Sequence, residues 1–500
     1  MGNRKITFIA TIALALVVRL LGIAGRPIWY DEAFAILFSE KGPAAMVRGT
    51  LTVTGTAAAD VHPLGYYTLL WMWMRAFGES LVAVRSLSIL AGLGIVAVIV
   101  LLAGGLFKPS TAVAAGLLAA LAPFQVHYAQ EIRMYAFLCL WLLLATYAYW
   151  RALRSSGWAW VIGFGIFAAL AQYTQNLAAF YLVCLALWPL LKRDWKGLSV
   201  VLLGGVLAVL LYLPWLVHLP SQLAKVQQNY WVLRPDLARL FVLPVIFIVN
   251  VPVPNAWLPL ALFIGLSIVV IGLYGTVRAV QQRSPSLQAG LWMLYLTFAP
   301  AALMFLVSQW NPVYLERALL PSGAIFCIWL AWSMLETQKL NVLHLLSAAL
   351  IVAGFALGLH EHLTNTAGLY APFQAMTQDL ERRRAPGDVI IHSNKLSMLP
   401  SVYFDRALPQ SYVADPVGTA SDTLALATQE SLGLLAQPDM QAAAAGSGRV
   451  WFIIFEDANR AYIAEGLPRS PQLTWLMERY SEVEERSWDG LRVYLFAVKP

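Results

Sequence analysis

Charged residues are scarce in this sequence, and their scarcity excludes an ordinary soluble protein. Only 12% of the 500 residues are charged, whereas 59% are hydrophobic and the mean hydropathy is +0.66. Soluble globular domains carry charge on about a quarter of their residues. A disordered chain is excluded as well, because such chains lack the apolar surface that this sequence has in excess. The composition therefore indicates a membrane protein.

Cysteine is also scarce, and several well-known catalytic motifs are missing. The cysteines are Cys139, Cys184 and Cys327, all inside apolar runs, so no disulfide is expected in residues 361–500. The sequence has no Walker loop, Rossmann glycine pattern, HExxH metal site or nucleophile elbow. We therefore expect no nucleotide as energy source or donor. A reaction at the outer membrane face would need a substrate that is already activated and held in the membrane.

Acidic residues are few in the first part of the chain and more common in the second. Residues 1–360 contain 22 basic and 10 acidic residues, a balance of +12, whereas residues 361–500 contain 12 and 17, a balance of −5. Basic residues collect in the cytoplasmic loops of membrane proteins, which fits the first part better than a nucleic-acid-binding surface does. The sequence predicts a transmembrane domain at 1–360 and a soluble domain at 361–500.

Long apolar runs are abundant in the first part. Each must be helical if it crosses the bilayer, and the eleven candidates are 6–24, 85–106, 110–126, 135–152, 158–175, 177–191, 198–217, 257–277, 289–308, 318–335 and 342–360. The first is interpreted as an uncleaved helix, because 19 apolar residues exceed the core of a signal peptide. Interfacial helices are expected in the first outer loop, and the stretch 238–253 is interpreted as re-entrant or interfacial.

The basic residues predict how the chain is oriented. They fall in alternate short loops, as the positive-inside rule requires, at Arg4, Lys5, Lys108, Arg151, Arg154, Lys192, Arg193, Lys196, Arg278, Arg283 and Lys339. With eleven crossings, this pattern places the N-terminus in the cytoplasm and the C-terminal domain outside the plasma membrane.

The C-terminal part has the pattern of a mixed domain. Segments 388–393, 449–457 and 491–498 read as buried strands, and helical periodicity appears at 421–436 and 472–482. We expect a small extracytoplasmic α/β domain.

Two polar motifs lie in the first outer loop. RPIWYDEAF places Asp31 and Glu32 just after the first helix. Adjacent carboxylates face different directions, so one could take part in chemistry while the other forms a salt bridge; acids favoured at a helix start are the alternative. VHPLGYY contains His62, Tyr66 and Tyr67, for which a capping histidine and membrane-belt tyrosines are the alternatives.

Two further motifs lie at the outer ends of later helices. HYAQEIRMYAF contains Gln130, Glu131, Arg133 and Tyr135. So dense a polar cluster is costly near a membrane and indicates a functional site, with an internal pair of Glu131 and Arg133 as the alternative. NPVYLERALLP adds Glu316 and Arg317, for which snorkelling is the alternative. The guanidinium groups suit a phosphate.

The order of WYDEAF, HPLGYY, QEIRMY and LERALLP resembles the GT-C glycosyltransferases. Within them it is similar to the family 39 type, the protein O-mannosyltransferases and lipid A aminoarabinose transferases, over about residues 1–335. The resemblance implies a polyprenyl-phosphate sugar donor and inverting transfer to an acceptor hydroxyl on the outer face. It implies that Asp31 is the base and Glu32 its acidic neighbour. Leu64 departs from the family, because many members have a second proline there.

The roles expected for the remaining residues follow from this resemblance and from their chemistry. Arg133 and Arg317 are expected to bind the donor phosphate and stabilise its leaving charge. The substrate-binding candidates are His62, Tyr66, Tyr67, Gln130, Glu131, Tyr135 and Glu316. No cofactor is expected, with a divalent metal near Asp31 and Glu32 as the alternative. The acceptor could be a lipid, a glycan or a protein.

Two other functions stay open at this point. A transporter or flippase of a lipid-linked sugar would carry ionisable groups near the bilayer midplane and often inverted repeats. A non-catalytic scaffold would use its C-terminal domain to bind a partner.

Overall fold

The computed structural model describes residues 2–54, 57–155, 157–228, 232–336, 342–364, 369–415 and 423–499. The predicted loop residue Lys339 and the first two residues of the predicted helix 421–436 lie outside these ranges.

The first 364 residues fold mainly into helices. The chain begins with α1 Gly2–Leu20, α2 Tyr30–Glu40, α3 Gly42–Leu51, the short antiparallel strands β1 Val53–Thr54 and β2 Ala57–Ala58, and α4 Gly65–Phe77. It continues with α5 Leu81–Leu106, α6 Pro109–Leu121, α7 Pro123–Gln130, α8 Tyr135–Arg154, α9 Trp158–Thr174, α10 Ala178–Lys192 and α11 Trp195–Leu216. It ends with α12 Leu219–Gln228, α13 Ala238–Ile248, α14 Leu258–Gln281, α15 Leu287–Val307, a 3₁₀ helix Glu316–Leu319, α16 Leu320–Leu335 and α17 Val342–Thr364.

The predicted apolar runs all lie mainly within helices. Among the described residues, seven helices are long and apolar enough to cross a membrane, namely α5, α8, α11, α14, α15, α16 with the 3₁₀ turn before it, and α17. Helices α6 and α7 form an eighth if they are one span, bent by 53° where Pro123 begins a new helix. The other predicted crossings form the more charged α1 and the shorter α9 and α10. The polytopic helical fold is confirmed, and the number of crossings is approximate.

Several helices are too short to cross a bilayer. Helix α13 has 11 residues and is therefore roughly 17 Å long, against about 30 Å of hydrocarbon. Its second half is buried against the other helices. Helices α2, α3 and α4, between α1 and α5, have 11, 10 and 13 residues. They bring polar residues of this segment to the ends of the long helices.

The C-terminal part forms the expected α/β domain. Its elements are α18 Phe373–Arg383, β3 Val389–His392, α19 Lys395–Phe404, β4 Gln410–Tyr412, α20 Leu426–Leu432, α21 Met440–Ala443, β5 Arg449–Phe455, α22 Glu456–Ala464, α23 Pro471–Arg479, β6 Tyr480–Trp488 and β7 Leu491–Val498. The sheet order is β4-β3-β5-β7-β6, in which β3 runs parallel to β4 and β5, and β7 runs antiparallel to β5 and β6.

Both faces of this sheet are covered, which explains its apolar central strand. In β5, Trp451 and Ile453 join one buried cluster, and Phe452 and Ile454 join the other, because successive side chains of a strand point to opposite faces. The three predicted strands are confirmed. The predicted helix 472–482 is too long, because α23 ends at Arg479 and the chain then forms the edge strand β6.

The C-terminal domain packs on the segment of residues 25–84. Thr428 on α20 donates a hydrogen bond from Oγ1 to the carbonyl oxygen of Gly49 on α3, 2.8 Å away. Arg406 forms ion pairs with Glu40 at 2.6 Å and with Glu79 at 2.9 Å. These contacts hold the C-terminal domain against α3, the C-terminal end of α2 and the segment before α5.

Candidate active site

A cavity of about 370 Å³ lies between the segment of residues 25–84, the nearby ends of the long helices and the C-terminal domain. Its charged and polar lining residues include Asp31, Asp60, His62, Tyr67, Arg133, Lys225, Arg317, Lys395 and Thr428. Lys395 comes from α19 and Thr428 from α20, so both parts of the chain form this cavity.

Asp31 is the carboxylate at the centre of the charged cluster in this cavity. It lies in the first turn of α2, where the helix dipole favours negative charge. Its Oδ2 accepts a hydrogen bond from Nη1 of Arg317 at 2.8 Å and lies 3.7 Å from Nε of Arg133. Burial opposes the ionisation of Asp31, but the two guanidinium charges outweigh burial and lower its pKa below the ordinary value. Asp31 is therefore an anion at neutral pH.

The two arginines reach Asp31 from different elements. Arg133 lies in the turn between α7 and α8, and its Nη1 donates to the hydroxyl of Tyr67 at 3.3 Å and to the backbone oxygen of Asp31 at 3.4 Å. Arg317 lies in the 3₁₀ helix, and its guanidinium is 5.1 Å from the ring centroid of Tyr135. Both arginines line the cavity, whereas Tyr135 supports Arg317 from behind.

Glu32 faces away from the cavity into the protein. Neighbouring helical residues are about 100° apart around the axis, so Glu32 enters the core where Asp31 enters the cavity. Its side chain is fully buried, forms an ion pair with Arg85 at 3.3 Å and accepts a hydrogen bond from the backbone amide of Ile132 at 3.1 Å. This position fits the salt bridge expected of one of the two carboxylates, and it ties Glu32 to the turn that carries Arg133.

Glu131 is buried behind the cavity and does not pair with Arg133. Its Oε1 accepts a hydrogen bond from Nε1 of Trp29 at 3.1 Å. Among the described residues no ion pair joins Glu131 to Arg133, so that alternative is not formed. Burial and, secondly, the nearby Glu32 raise the pKa of Glu131 to about 7. Glu131 therefore titrates close to neutral pH.

Three other predicted site residues do not line the cavity. Gln130 hydrogen-bonds His362 of α17 through Oε1 at 2.6 Å and donates to two carbonyl oxygens at the end of α1. Tyr66 is buried against the bundle. Glu316 forms an ion pair with Arg239 at 2.5 Å, toward solvent. Their positions favour structural roles over substrate contact.

His62 lines the cavity together with Asp60, which sequence reasoning did not select. Nδ1 of His62 is 3.0 Å from Oδ1 of Asp60. Burial opposes the ionisation of Asp60, but His62 and the amide of Val61 lower its pKa to about 2. In the sequence, only the two-residue spacing of Asp60 and His62 indicated that these side chains could interact. No such spacing indicated Lys225 and Lys395, because they lie on α12 and α19, far along the chain from Asp31.

The carboxylates that line the cavity face basic side chains. Among the residues that the structure describes, no three His, Cys, Asp or Glu side chains converge. Asp31 is surrounded by guanidinium groups and Glu32 faces Arg85. The alternative of a divalent ion held by Asp31 and Glu32 therefore does not fit the donor set.

Comparison with solved structures shows the GT-C fold. The crystal structure of ArnT from Cupriavidus metallidurans bound to undecaprenyl phosphate matches with a TM-score of 0.61 and 14% identity, over 98% of this chain and 99% of that chain. The apo structure of ArnT matches with a TM-score of 0.60 and 15% identity, over 97% of both chains. The archaeal oligosaccharyltransferase AglB from Archaeoglobus fulgidus, in complex with an inhibitory peptide and a dolichol-phosphate, matches with a TM-score of 0.55 and 13% identity, over 98% and 74%.

A family comparison points in the same direction. Residues 61–218 match the family described as dolichyl-phosphate-mannose-protein mannosyltransferase. This range includes His62 and Arg133 and excludes Asp31 and Arg317. No curated protein sequence matches. The predicted resemblance to the GT-C glycosyltransferases is thus confirmed by the fold and by this family match over residues 61–218.

Proposed function

We propose that this protein is a membrane glycosyltransferase that transfers a sugar from a polyprenyl-phosphate donor to an acceptor hydroxyl. The observation that carries the proposal is the contact of an ionised carboxylate, Asp31, with Arg133 and Arg317 in a cavity at the outer helix ends. ArnT bound to undecaprenyl phosphate and AglB in complex with a dolichol-phosphate support a lipid phosphate as the ligand of this fold. A lipid, glycan or peptide acceptor is compatible with the same cavity.

The proposed chemistry is a single displacement with inversion. The acceptor oxygen attacks the anomeric carbon from the side opposite the phosphate, and the bond between that carbon and the phosphate oxygen breaks. Asp31 takes the hydroxyl proton and must lie within about 3 Å of the acceptor oxygen. The polyprenyl phosphate leaves with the bonding electron pair, and Arg133 and Arg317 stabilise its charge.

The contact between Asp31 and Arg317 implies that donor binding precedes removal of the acceptor proton. While Arg317 donates to Asp31 at 2.8 Å, the carboxylate is a weak base because its pKa is lowered. A donor phosphate competes for the same guanidinium group, whose fork of donors suits phosphate oxygens. Donor binding would therefore free Asp31 to accept a proton only when the leaving group is in place.

We also propose that the cavity faces the extracytoplasmic side of the plasma membrane and that the N-terminus is cytoplasmic. The alternation of basic loops supports this orientation. The domain boundary near residue 360 is supported by the change from the long helix α17 to the mixed sheet after residue 364.

The first experiment uses the full chain in nanodiscs with a panel of radiolabelled polyprenyl-phosphate sugars. We expect one donor to release free polyprenyl phosphate, and Asp31→Asn to lower the rate by about 10²- to 10⁴-fold with the donor still bound. Asp236→Asn is the matched control, because Asp236 is exposed and outside the cavity, and it should keep the wild-type rate.

Two results would contradict the proposal. Full turnover of Asp31→Asn would move the base to another residue. Movement of the donor across the bilayer of a liposome, without release of polyprenyl phosphate, would indicate a flippase instead.

A further inference from the structure

A second cavity lies at the other end of helix α8 from Asp31. The first residue of α8, Tyr135, lies beside Arg317, and its last residue, Arg154, lines the second cavity. Twenty residues at a rise of 1.5 Å span about 30 Å, the thickness of the hydrocarbon core. The two cavities therefore lie at opposite membrane surfaces.

Cations and aromatic rings form the walls of this second cavity, whose volume is about 530 Å³. The guanidinium of Arg154 lies 5.0 Å from the ring centroid of Trp150, and Nζ of Lys192 lies 4.9 Å from that of Trp188. Rings in these positions hold the two positive charges at the cavity. An anionic group is the ligand that such charges favour.

Three hydrogen-bond donors on residues that line this cavity have no acceptor among the described residues. The hydroxyl of Tyr149 and the Nε1 atoms of Trp150 and Trp292 are buried and have no hydrogen-bond partner in the part of the chain that the structure describes. Tyr149 and Trp292 are 1% and 5% exposed. An indole N–H can only donate, and a buried donor without a partner is costly. A ligand rich in acceptor oxygens would satisfy them.

The cavity is held in shape by close packing. A Cβ on Gly105 of α5 would lie 2.1 Å from the Trp150 ring, so only glycine allows the indole to pack there. Asp194 is the one carboxylate lining this cavity, and it caps α11 by accepting a hydrogen bond from the amide of Gly197 at 3.0 Å. With Arg154 and Lys192, the lining keeps a net positive charge.

We propose that this cavity binds the phosphate of a phospholipid from the leaflet opposite the active site. Phosphate oxygens match both the two cations and the donor-only indoles. The exposed Leu190 and Leu191 adjoin Lys192 on α10 and offer an apolar surface for the acyl chains. This lipid site does not depend on the proposed transferase activity.

Native mass spectrometry of the full chain tests the proposal directly. The purified protein is titrated with phosphatidylglycerol and, separately, with a galactosyl diacylglycerol, which has no phosphate. We expect one phosphatidylglycerol to bind and the glycolipid not to. The double variant Arg154→Gln with Lys192→Gln should bind phosphatidylglycerol about tenfold or more weakly. Arg278→Gln with Arg283→Gln is the matched control, because Arg278 lies in the last turn of α14 and Arg283 in the α14–α15 connection, at the same end but without lining the cavity.

A milder variant separates a built site from general charge attraction. Trp292→Phe replaces the indole by another aromatic ring, keeps the net charge and removes one donor, so phosphatidylglycerol should bind about threefold to tenfold more weakly. Equal losses in the control pair, or equal binding of the glycolipid, would overturn the proposal. Competition by inorganic phosphate without retention of any lipid would overturn the lipid assignment.

Discussion

Two adjacent carboxylates of this protein occupy opposite environments. The Asp31 side chain is 15% exposed and lies in the candidate active-site cavity between Arg133 and Arg317. The Glu32 side chain is fully buried and meets the fully buried Arg85. Both are acids in the first turn of α2, and each contacts arginine, yet only Asp31 lines the cavity. The rotation of about 100° between neighbouring helical residues makes this difference.

The same residue types, a carboxylate and arginine, therefore form a core contact at Glu32 and a cavity contact at Asp31. The pair of Glu32 and Arg85 is held without access to water, and Glu32 also accepts from the backbone of Ile132. This pair positions the turn that carries Arg133. The cluster of Asp31 is open to the cavity, so its ion pairs can exchange with those of a ligand.

The largest expected effect on stability is at Glu32. Glu32→Gln leaves the Arg85 charge buried and uncompensated, which typically costs about 3–5 kcal/mol. We expect a clear decrease in Tm, whereas Asp31→Asn should decrease it less because water reaches that site. Thermal unfolding in detergent measures both variants. Adding Arg85→Met to Glu32→Gln should recover part of the loss. A Tm of Glu32→Gln equal to that of the wild type would refute the structural role.

The second largest expected effect is on the rate of sugar transfer, at Arg317. Arg317→Gln removes a donor to the leaving phosphate, so kcat should decrease by about 10²- to 10³-fold. The same change removes a charge that lowers the pKa of Asp31, so the acidic limb of the pH–rate profile should move to higher pH. A profile with an unchanged acidic limb would show that Arg317 does not act on the base.

The third effect is a pH dependence of stability at Glu131. Its pKa is about 7 in the folded protein and 4.5 or so when unfolded. As the pH rises, the unfolded chain releases this proton before the folded chain does. The free energy of unfolding therefore decreases between the two pKa values, by about 3 kcal/mol at most. Glu131→Gln should remove this part of the pH dependence. Equal slopes of Tm against pH in both proteins would contradict the assignment.

The smallest effect is at the contact between the two domains. Arg406→Ala removes two partly exposed ion pairs to Glu40 and Glu79, each worth up to about 1 kcal/mol. We expect a small decrease in Tm and a small change in rate, because Thr428 and the packing of α20 still hold the domain. A complete loss of activity with Tm unchanged would mean that this contact controls the cavity.

Much of the fold could be predicted from the sequence, because hydrophobic runs and strand alternation act locally. The apolar runs are helices, and the strands at 389–392, 449–455 and 491–498 lie where the pattern indicated. Strand β6 was missed because its sequence, YSEVEERSW, is an edge strand with charges on its exposed face. The break at Pro123 also depends on a local residue and could have been found.

The site could be predicted only in part. Asp31, His62, Tyr67, Arg133 and Arg317 line one cavity, as the motif order implied. Which of Asp31 and Glu32 faces the cavity depends on Arg85, a residue of α5 that no motif singled out. Lys225 and Lys395 reach the cavity through folding of distant segments, and sequence spacing contains no information about that.

Azide distinguishes removal of the acceptor proton by Asp31 from every other role of this residue. Azide is already an anion and needs no base, so with the cognate donor it should restore turnover of Asp31→Asn and yield a glycosyl azide of inverted configuration. It should not restore Arg317→Gln, whose defect is at the leaving group. If azide leaves Asp31→Asn inactive while the donor is bound, or restores both variants equally, Asp31 is not the base.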